Sequence, residues 1–305
     1  MDKQKIIPPY NYPYCVFDFT DWNPVQEKCY SYFTQDCNLV VSASVASGKT
    51  VIAEAIFGYE LAQNSNVKIA YVCPLKALGN EKYNDWNRHE TFASYHKVML
   101  SSDNYVEEEK LQDARMILST IESLNIKCRK NASWLKDIKV LVFDEAHLFN
   151  DENRGAGAEA LMINMSIINP NCRLICLSGT LSNCKEIASW LKHLNNKKTF
   201  FVNSNWRPTE LIKKVVISED LKDWEADILK IIQSSGDDKV LIFVHSKRIG
   251  EEISKFLKRK KIRNAFYNAD LRTNIKERIL FDFKQNYSDL NVLIATNSLG
   301  AGLNL

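Results

Sequence analysis

Short apolar runs recur along the chain, each followed by a stretch whose apolar positions repeat every three or four residues. LVV (39–41), KIAYVC (68–73), KVML (97–100), RMILS (115–119), KVLVF (139–143) and RLICL (173–177) are aliphatic at consecutive positions. That pattern predicts strands covered on both faces. After the first run, Ile52, Ala55, Ile56 and Tyr59 have helical spacing; LKALGNEKYNDW follows Pro74 as a second helix, and NCKEIASWLKHL aligns Ile187, Trp190, Leu191 and Leu194 as a core-facing stripe. Strands alternating with helices predict an α/β fold with a mainly parallel sheet and helices on both faces. Ligands in such a sheet bind at the carboxyl ends of the strands.

A second series follows a strand and linker over Thr199–Ser218 that contains Trp206-Arg207-Pro208. Helix LKDWEADILKII, with Leu221, Trp224, Ile228 and Ile231 on one side, leads through a turn at 236–238 into the strand KVLIFV. A helix (Ile249, Ile253, Phe256, Leu257), a short strand near AFY, a helix (Ile275, Ile279, Phe283) and the strand NVLIA complete it. Three strands make an incomplete sheet, so this second α/β unit is expected to continue past Leu305. Near the start, Pro8, Pro9 and Pro13 oppose regular structure, whereas the segment after Pro24 can open a helix. The expected organisation is an N-terminal segment (1–30), a nucleotide-binding domain (31–204), a linker (205–220) and a partial second domain (221–305).

Composition narrows the class without choosing a partner. The 305 residues are 45% hydrophobic and 25% charged, as in an ordinary folded protein of about two domains. Lys and Arg number 40 against 37 Asp and Glu, so any nucleic-acid-binding surface would have to be local. KRKKIR (258–263) is the densest basic run; a solvated helix end and a phosphate-backbone contact are both open readings. No apolar run approaches the ~20 residues of a membrane span, and MDKQKIIPPY lacks an apolar signal core, so an intracellular protein, cytoplasmic or nuclear or nucleoid-associated, without a membrane partner is expected. Eight cysteines without a CxxC pair read as reduced, partly buried thiols.

The chemistry begins at ASVASGKT (43–50), which joins a strand to a helix in the pattern of a phosphate loop. Backbone N–H groups of Ala46, Ser47 and Gly48 and the positive end of the helix would converge on an anion. Lys49 would reach the β- and γ-phosphates of a nucleotide, and the Thr50 hydroxyl would ligate Mg²⁺. KVLVF runs into Asp144-Glu145-Ala146-His147. Paired carboxylates at the end of a buried strand need a cation or a partner; beside a phosphate loop, Asp144 would hold Mg²⁺ and Glu145 would orient and deprotonate an attacking water. His147 either couples this site to its neighbours or caps a helix. Ser178 and Thr180, after the next strand, can hydrogen-bond to the acidic cluster or simply form a turn. Gln26, in Asn23-Pro24-Val25-Gln26, is a candidate reader of an adenine edge, or a solvated helix-start glutamine.

The phosphate loop, PLKAL (74–78), STIES (119–123), DEAH (144–147), SGT (178–180), WRP (206–208), FVHSKR (243–248) and ATNSLGAGLNL (295–305) stand in the order found in superfamily 2 helicases, which this chain resembles over residues 15–305. NPVQ, PLKALGNEKYNDW and WLKDIKVLVFDEAHLFNDENRG resemble the Ski-type branch, which includes the archaeal Hjm-type repair helicases and the Brr helicases. The resemblance implies two RecA-like phosphate-loop domains with ATP between them and a nucleic-acid strand, single-stranded or forked and DNA sooner than RNA, crossing both. It makes Gln26 the adenine reader and Lys49, Thr50, Asp144 and Glu145 the phosphate, Mg²⁺ and hydrolytic residues. Pro74, Lys76, Thr120, His245, Ser246 and Thr296 match strand-contacting motifs. Gly302, on the nucleotide side, and His147, Ser178, Thr180 and Asn304, as coupling residues, match motifs that link ATP state to strand grip.

Ser44-Val45 replaces the usual Pro-Thr, Ser178-Gly179-Thr180 replaces Ser-Ala-Thr, and Tyr267-Asn268-Ala269-Asp270-Leu271 replaces a His-His-Ala-Gly-Leu-like stretch. The arginine-finger motif and further C-terminal helicase domains are expected beyond residue 305. On that expectation these 305 residues alone hydrolyse ATP poorly and do not unwind, since arginine fingers contribute ~10³ to 10⁵ in rate. An ATPase-inactive nucleic-acid scaffold and a small-molecule kinase are the alternatives from other classes. The intact Lys49, Thr50, Asp144 and Glu145 oppose the first, and the duplicated α/β unit opposes the second.

Overall fold

The apolar runs pair side by side because each is buried on both faces and can satisfy its backbone only through neighbouring strands. The computed structural model describes residues 6–102, 104, 106–179, 181–217, 224–285 and 288–296. It divides into two compact units, Met1–Glu210 and Leu211–Leu305.

In the first unit, strands β1 (Asn38–Ala43), β2 (Lys68–Cys73), β3 (Lys97–Leu100), β4 (Met116–Thr120), β5 (Ile138–Phe143), β6 (Arg173–Ser178) and β7 (Thr199–Ser204) form one sheet in the order β3-β4-β2-β5-β6-β1-β7. Every adjacent pair is parallel. Its helices are α1 (Pro24–Tyr30), α2 (Lys49–Gln63), α3 (Lys76–Arg88), α4 (Glu108–Asp113), α5 (Ile121–Arg129), α6 (Gly155–Ile168) and α7 (Cys184–Asn195).

Alternate strand residues feed two cores. Leu39, Val41, Ile69 and Tyr71 pack with Val25 of α1, Ile52 and Ile56 of α2 and Trp86 of α3, whereas Val40, Ala70 and Val72 pack with Leu124 of α5, Leu161 of α6 and Leu191 of α7. The sheet is therefore sandwiched, as the alternation predicted. The expected stripe on α7 is met: Ile187 and Leu191 are buried, and Trp190 and Leu194 pack against the same core. All eight cysteines are free and buried.

The second unit has a parallel sheet of three strands, β8 (Val240–Phe243), β9 (Asn264–Tyr267) and β10 (Val292–Ala295), in the order β8-β10-β9. Helices α8 (Trp224–Ser234) and α9 (Lys247–Arg259) cover one face through Trp224, Ile228, Ile253 and Phe256, and α10 (Thr273–Lys284) covers the other through Ile279 and Phe283. Leu221 lies outside the described residues. Among those residues, no helix is long and apolar enough to cross a membrane.

Candidate active site

Because every strand of the first sheet is parallel, all its carboxyl ends meet at one edge. β1 delivers the phosphate loop there, β2 Pro74 and Lys76, β4 Thr120, β5 Asp144 and Glu145, and β6 Ser178.

The loop turns through two residues with positive φ, Ala46 (62°) and Gly48 (72°), before α2 begins at Lys49. Left-handed residues at such a turn can belong to an anion-binding nest; here the Ser47 N–H closes the loop on the Ser44 carbonyl at 3.3 Å. Glycine at 48 is favoured on two counts, the left-handed backbone and a Cβ that would stand 2.4 Å from Gln26 Nε2. Ser47 is fully buried, and its Oγ has no hydrogen-bond partner. Such an orphan is costly unless a ligand or water meets it. Lys49 Nζ donates to the carbonyls of Ala43 and Ser44, both at 2.9 Å. Burial pulls the Lys49 pKa down against the opposing charges of Glu145 and Asp144. Beside the loop a cavity of about 430 Å³ opens, lined in part by Ser44, Gly179, Asn203 and Arg207.

Gln26 is buried, with 4% exposure, and bridges α1 to the loop. Its Oε1 accepts from the Asn23 N–H at 3.0 Å, while the Asn23 side chain accepts from Val25 and Gln26 N–H groups, a reciprocal capping box. Its Nε2 donates to the Gly48 carbonyl at 3.3 Å, and Asn23 Nδ2 donates to that of Ser47 at 3.0 Å. The solvated helix-start reading of Gln26 is therefore replaced by a buried amide whose partners lie within the site.

Asp144 closes β5 with both carboxylate oxygens engaged. Oδ1 accepts from the Glu145 N–H at 3.0 Å, and Oδ2 accepts from the Tyr71 hydroxyl at 2.7 Å. Burial raises the Asp144 pKa despite these donors. Glu145 adopts φ 56°, ψ 51°, a left-handed conformation uncommon for a non-glycine residue, which turns the chain sharply off the strand. Its Oε2 lies 3.2 Å from His147 Nδ1. Burial pushes this carboxyl up, but His147, Lys49 and the Gly179 N–H outweigh it and hold the pKa below the usual value. His147 is raised in turn, chiefly by its hydrogen bond to Glu145. His147 Nδ1 is also 3.3 Å from Ser178 Oγ, so the 3-10 helix Ala146–Asn150 links the acidic pair to the end of β6.

The remaining expected residues fall into three groups. Pro74 precedes α3, whose first residue, Lys76, is exposed; Thr120 caps α5, accepting from the Ser123 N–H. In the second unit, His245 is exposed after β8, Ser246 caps α9 through the Ile249 N–H, and Thr296 follows β10, its N–H donating to the Tyr267 carbonyl. Thr180, Gly302 and Asn304 lie outside the described residues. No sequence pattern marks Tyr71 or Glu54: Tyr71 reads as one more core residue of an apolar strand, and Glu54 as a solvated helix position. Among the described residues, no group of three or more His, Cys, Asp or Glu could hold a metal ion by itself.

A parallel sheet carrying a phosphate loop, an acidic pair at the end of a neighbouring strand and a second parallel unit defines a phosphate-loop α/β protein with two RecA-like parts. The chain belongs to the DEAD/DEAH box helicase family, whose pattern matches residues 23–187, and the helicase conserved C-terminal domain matches residues 225–305. It is 29% identical over 325 residues to the ATP-dependent DNA helicase Hel308 of Pyrococcus abyssi, covering 92% of this chain and 43% of that protein. To the ATP-dependent DNA helicase MER3 of Saccharomyces cerevisiae it is 28% identical over 333 residues, covering 95% of this chain and 28% of that one. The chain thus spans less than half the length of these relatives. Among solved structures, S. cerevisiae Dbp5 bound to Gle1 and IP6 has the same fold, with TM-score 0.70 and 20% identity over 94% of this chain and 72% of that one.

Proposed function

We propose that the chain is the ATP-driven core of a nucleic-acid helicase that acts on DNA in preference to RNA. The observation that carries this reading is that the loop bearing Lys49 and the segment bearing Asp144, Glu145 and His147 leave the same carboxyl edge of the sheet, with Glu145 paired to His147 at 3.2 Å. The left-handed turn at Ala46 and Gly48 and the orphaned Ser47 hydroxyl fit a phosphate group, and the buried Asp144 fits a cation ligand shared with that phosphate. Thr50 and Asp144 would hold Mg²⁺, which supplies neutralisation of the charge that develops on the transferred phosphoryl oxygens.

Lys49 contributes the positive charge of the loop, and Gln26, tied to Gly48, sits where it can carry adenine occupancy into loop geometry. Glu145 is held ionised by His147, the Gly179 N–H and Lys49. It can therefore accept a hydrogen bond from an attacking water and orient it; its lowered pKa makes it a stronger orienter than base. His147 and Ser178 relay the state of this carboxylate to β6. Pro74, Lys76 and Thr120 in one unit, and His245, Ser246 and Thr296 in the other, are the proposed strand contacts. Backbone-directed contacts of this kind give sequence-independent binding. The DNA preference rests on relatives named as DNA helicases.

The test is ATP hydrolysis by the gene product, alone and with single-stranded DNA or RNA, beside Glu145→Gln. Stimulation by DNA that exceeds stimulation by RNA and disappears in the variant is expected. Stronger stimulation by RNA would reassign the track, and hydrolysis indifferent to both would remove the motor reading.

A further inference from the structure

We infer that Tyr71, braced by Trp86 and Glu54, is a positioning residue for the Asp144 carboxylate, fixing the orientation in which it would receive Mg²⁺. This deepens the reading above and rests on it.

Tyr71 lies in the middle of β2, next to β5, with Tyr71 paired to Val142 and Val72 to Phe143. That register carries its hydroxyl to the end of β5, where it donates to Asp144 Oδ2 at 2.7 Å. The opposite oxygen, Oδ1, is held by the Glu145 N–H at 3.0 Å. A carboxylate with one donor on each oxygen cannot rotate without breaking a bond, and each oxygen keeps a further lone pair for a cation or its water shell. Carboxylate ligands are commonly oriented by such partners.

The phenol is itself immobile. Tyr71 is 1% exposed, and its ring meets Trp86 edge-on, with centroids 5.2 Å apart at 85°. Trp86, also 1% exposed, donates its indole N–H to Glu54 Oε1 at 2.8 Å. Glu54 lies on α2, the helix that begins at Lys49 and carries Thr50 in its first turn. The chain Glu54–Trp86–Tyr71–Asp144 therefore ties the helix behind the phosphate loop to the carboxylate across from it. A tyrosine that only filled the core would need no hydroxyl: phenylalanine offers the same ring without a buried polar atom to satisfy.

Tyr71→Phe keeps the ring and removes the donor. Nucleotide binding by the whole chain is read with a fluorescent ATP analogue in EDTA and across a Mg²⁺ titration, and thermal melting is read in parallel. Expected are unchanged affinity in EDTA, a folded variant whose melt without nucleotide falls by no more than the loss of one hydrogen bond, and a Mg²⁺ midpoint raised by about 10- to 100-fold, the range for losing a partner of a metal ligand. Trp86→Phe, which keeps an aromatic ring and frees Glu54, should move the same midpoint in the same direction by a smaller factor. It is the deciding variant if Tyr71→Phe does not fold. A Mg²⁺ midpoint equal to wild type in the folded variant overturns the inference. Wild-type chain that binds no nucleotide overturns the reading beneath it as well, which keeps the two failures distinct.

Discussion

Arg173 opens β6 with no solvent exposure, and its removal should be among the costliest single changes in the first unit. Its guanidinium forms an ion pair with Glu60 of α2 at 2.8 Å and donates to the carbonyls of Tyr32 (2.9 Å), Phe33 (3.4 Å) and Cys37 (3.1 Å). One side chain thus joins β6, α2 and the turn that feeds β1. Arg173→Met keeps most of the volume but leaves Glu60, 5% exposed, as an uncompensated buried carboxylate. Breaking a buried pair in this way costs about 3 to 5 kcal/mol. Adding Glu60→Leu removes the stranded charge and should recover a part of that loss. The Phe33 and Cys37 carbonyls stay without their donor, at about 1 to 3 kcal/mol each, so the double variant should remain below wild type. Denaturant unfolding followed by tryptophan fluorescence is the assay, because every tryptophan except Trp224 lies in the first unit. Arg173→Met within about 1 kcal/mol of wild type would refute the argument.

Gly58 of α2 faces the Tyr14 carbonyl so closely that a Cβ would stand 2.2 Å from its oxygen. Alanine gains about 1 kcal/mol of helix propensity there, but the obstacle is backbone; Gly58→Ala should cost a net 1 to 2 kcal/mol and expose the N-terminal segment to limited proteolysis, whereas a stabilised variant would contradict the packing. Burial pushes the Glu54 carboxyl up to about 7, against the lowering effect of the Trp86 N–H, from an ordinary value near 4.5. The folded state therefore holds this proton more tightly than the unfolded chain, so the stability it brings is complete below pH ~4.5 and is lost as pH rises through ~7, by at most about 3 kcal/mol and less for a partly exposed group. Glu54→Gln, which keeps an acceptor for Trp86, should flatten that decline in urea melts at pH 5, 6.5 and 8; parallel wild-type and variant curves would sink the assignment.

What could be read from the chain alone follows the range of the interactions involved. A strand covered on both faces writes itself as a continuous apolar run, so β2, β3, β5 and β6 are visible within a residue of their bounds, and the segments that leave them carry Pro74, Asp144 and Ser178 to one edge because parallel strands allow nothing else. Helix α6 (GAGAEALMINMSII) has no such signature. It is apolar around most of its circumference, and its buried set Ala158, Leu161, Met162 and Met165 stands out only once the sheet gives it a side. Asn23 and Gln26 did carry a local signal, since an N-cap asparagine with glutamine three residues on is a capping box; its second meaning, the grip of Gln26 on Gly48, depends on a loop 22 residues away. Arg173 and Tyr71 lie at the far end of this scale. An arginine at a strand start reads as solvated until Glu60, 113 residues earlier, is brought against it, and a tyrosine between Ala70 and Val72 reads as core until sheet order sets β2 beside β5. The residues proposed to perform chemistry sit in turns with strong local constraints and can be found by pattern. Those that hold them in place sit in the core, where only the assembled register gives a polar atom its partner.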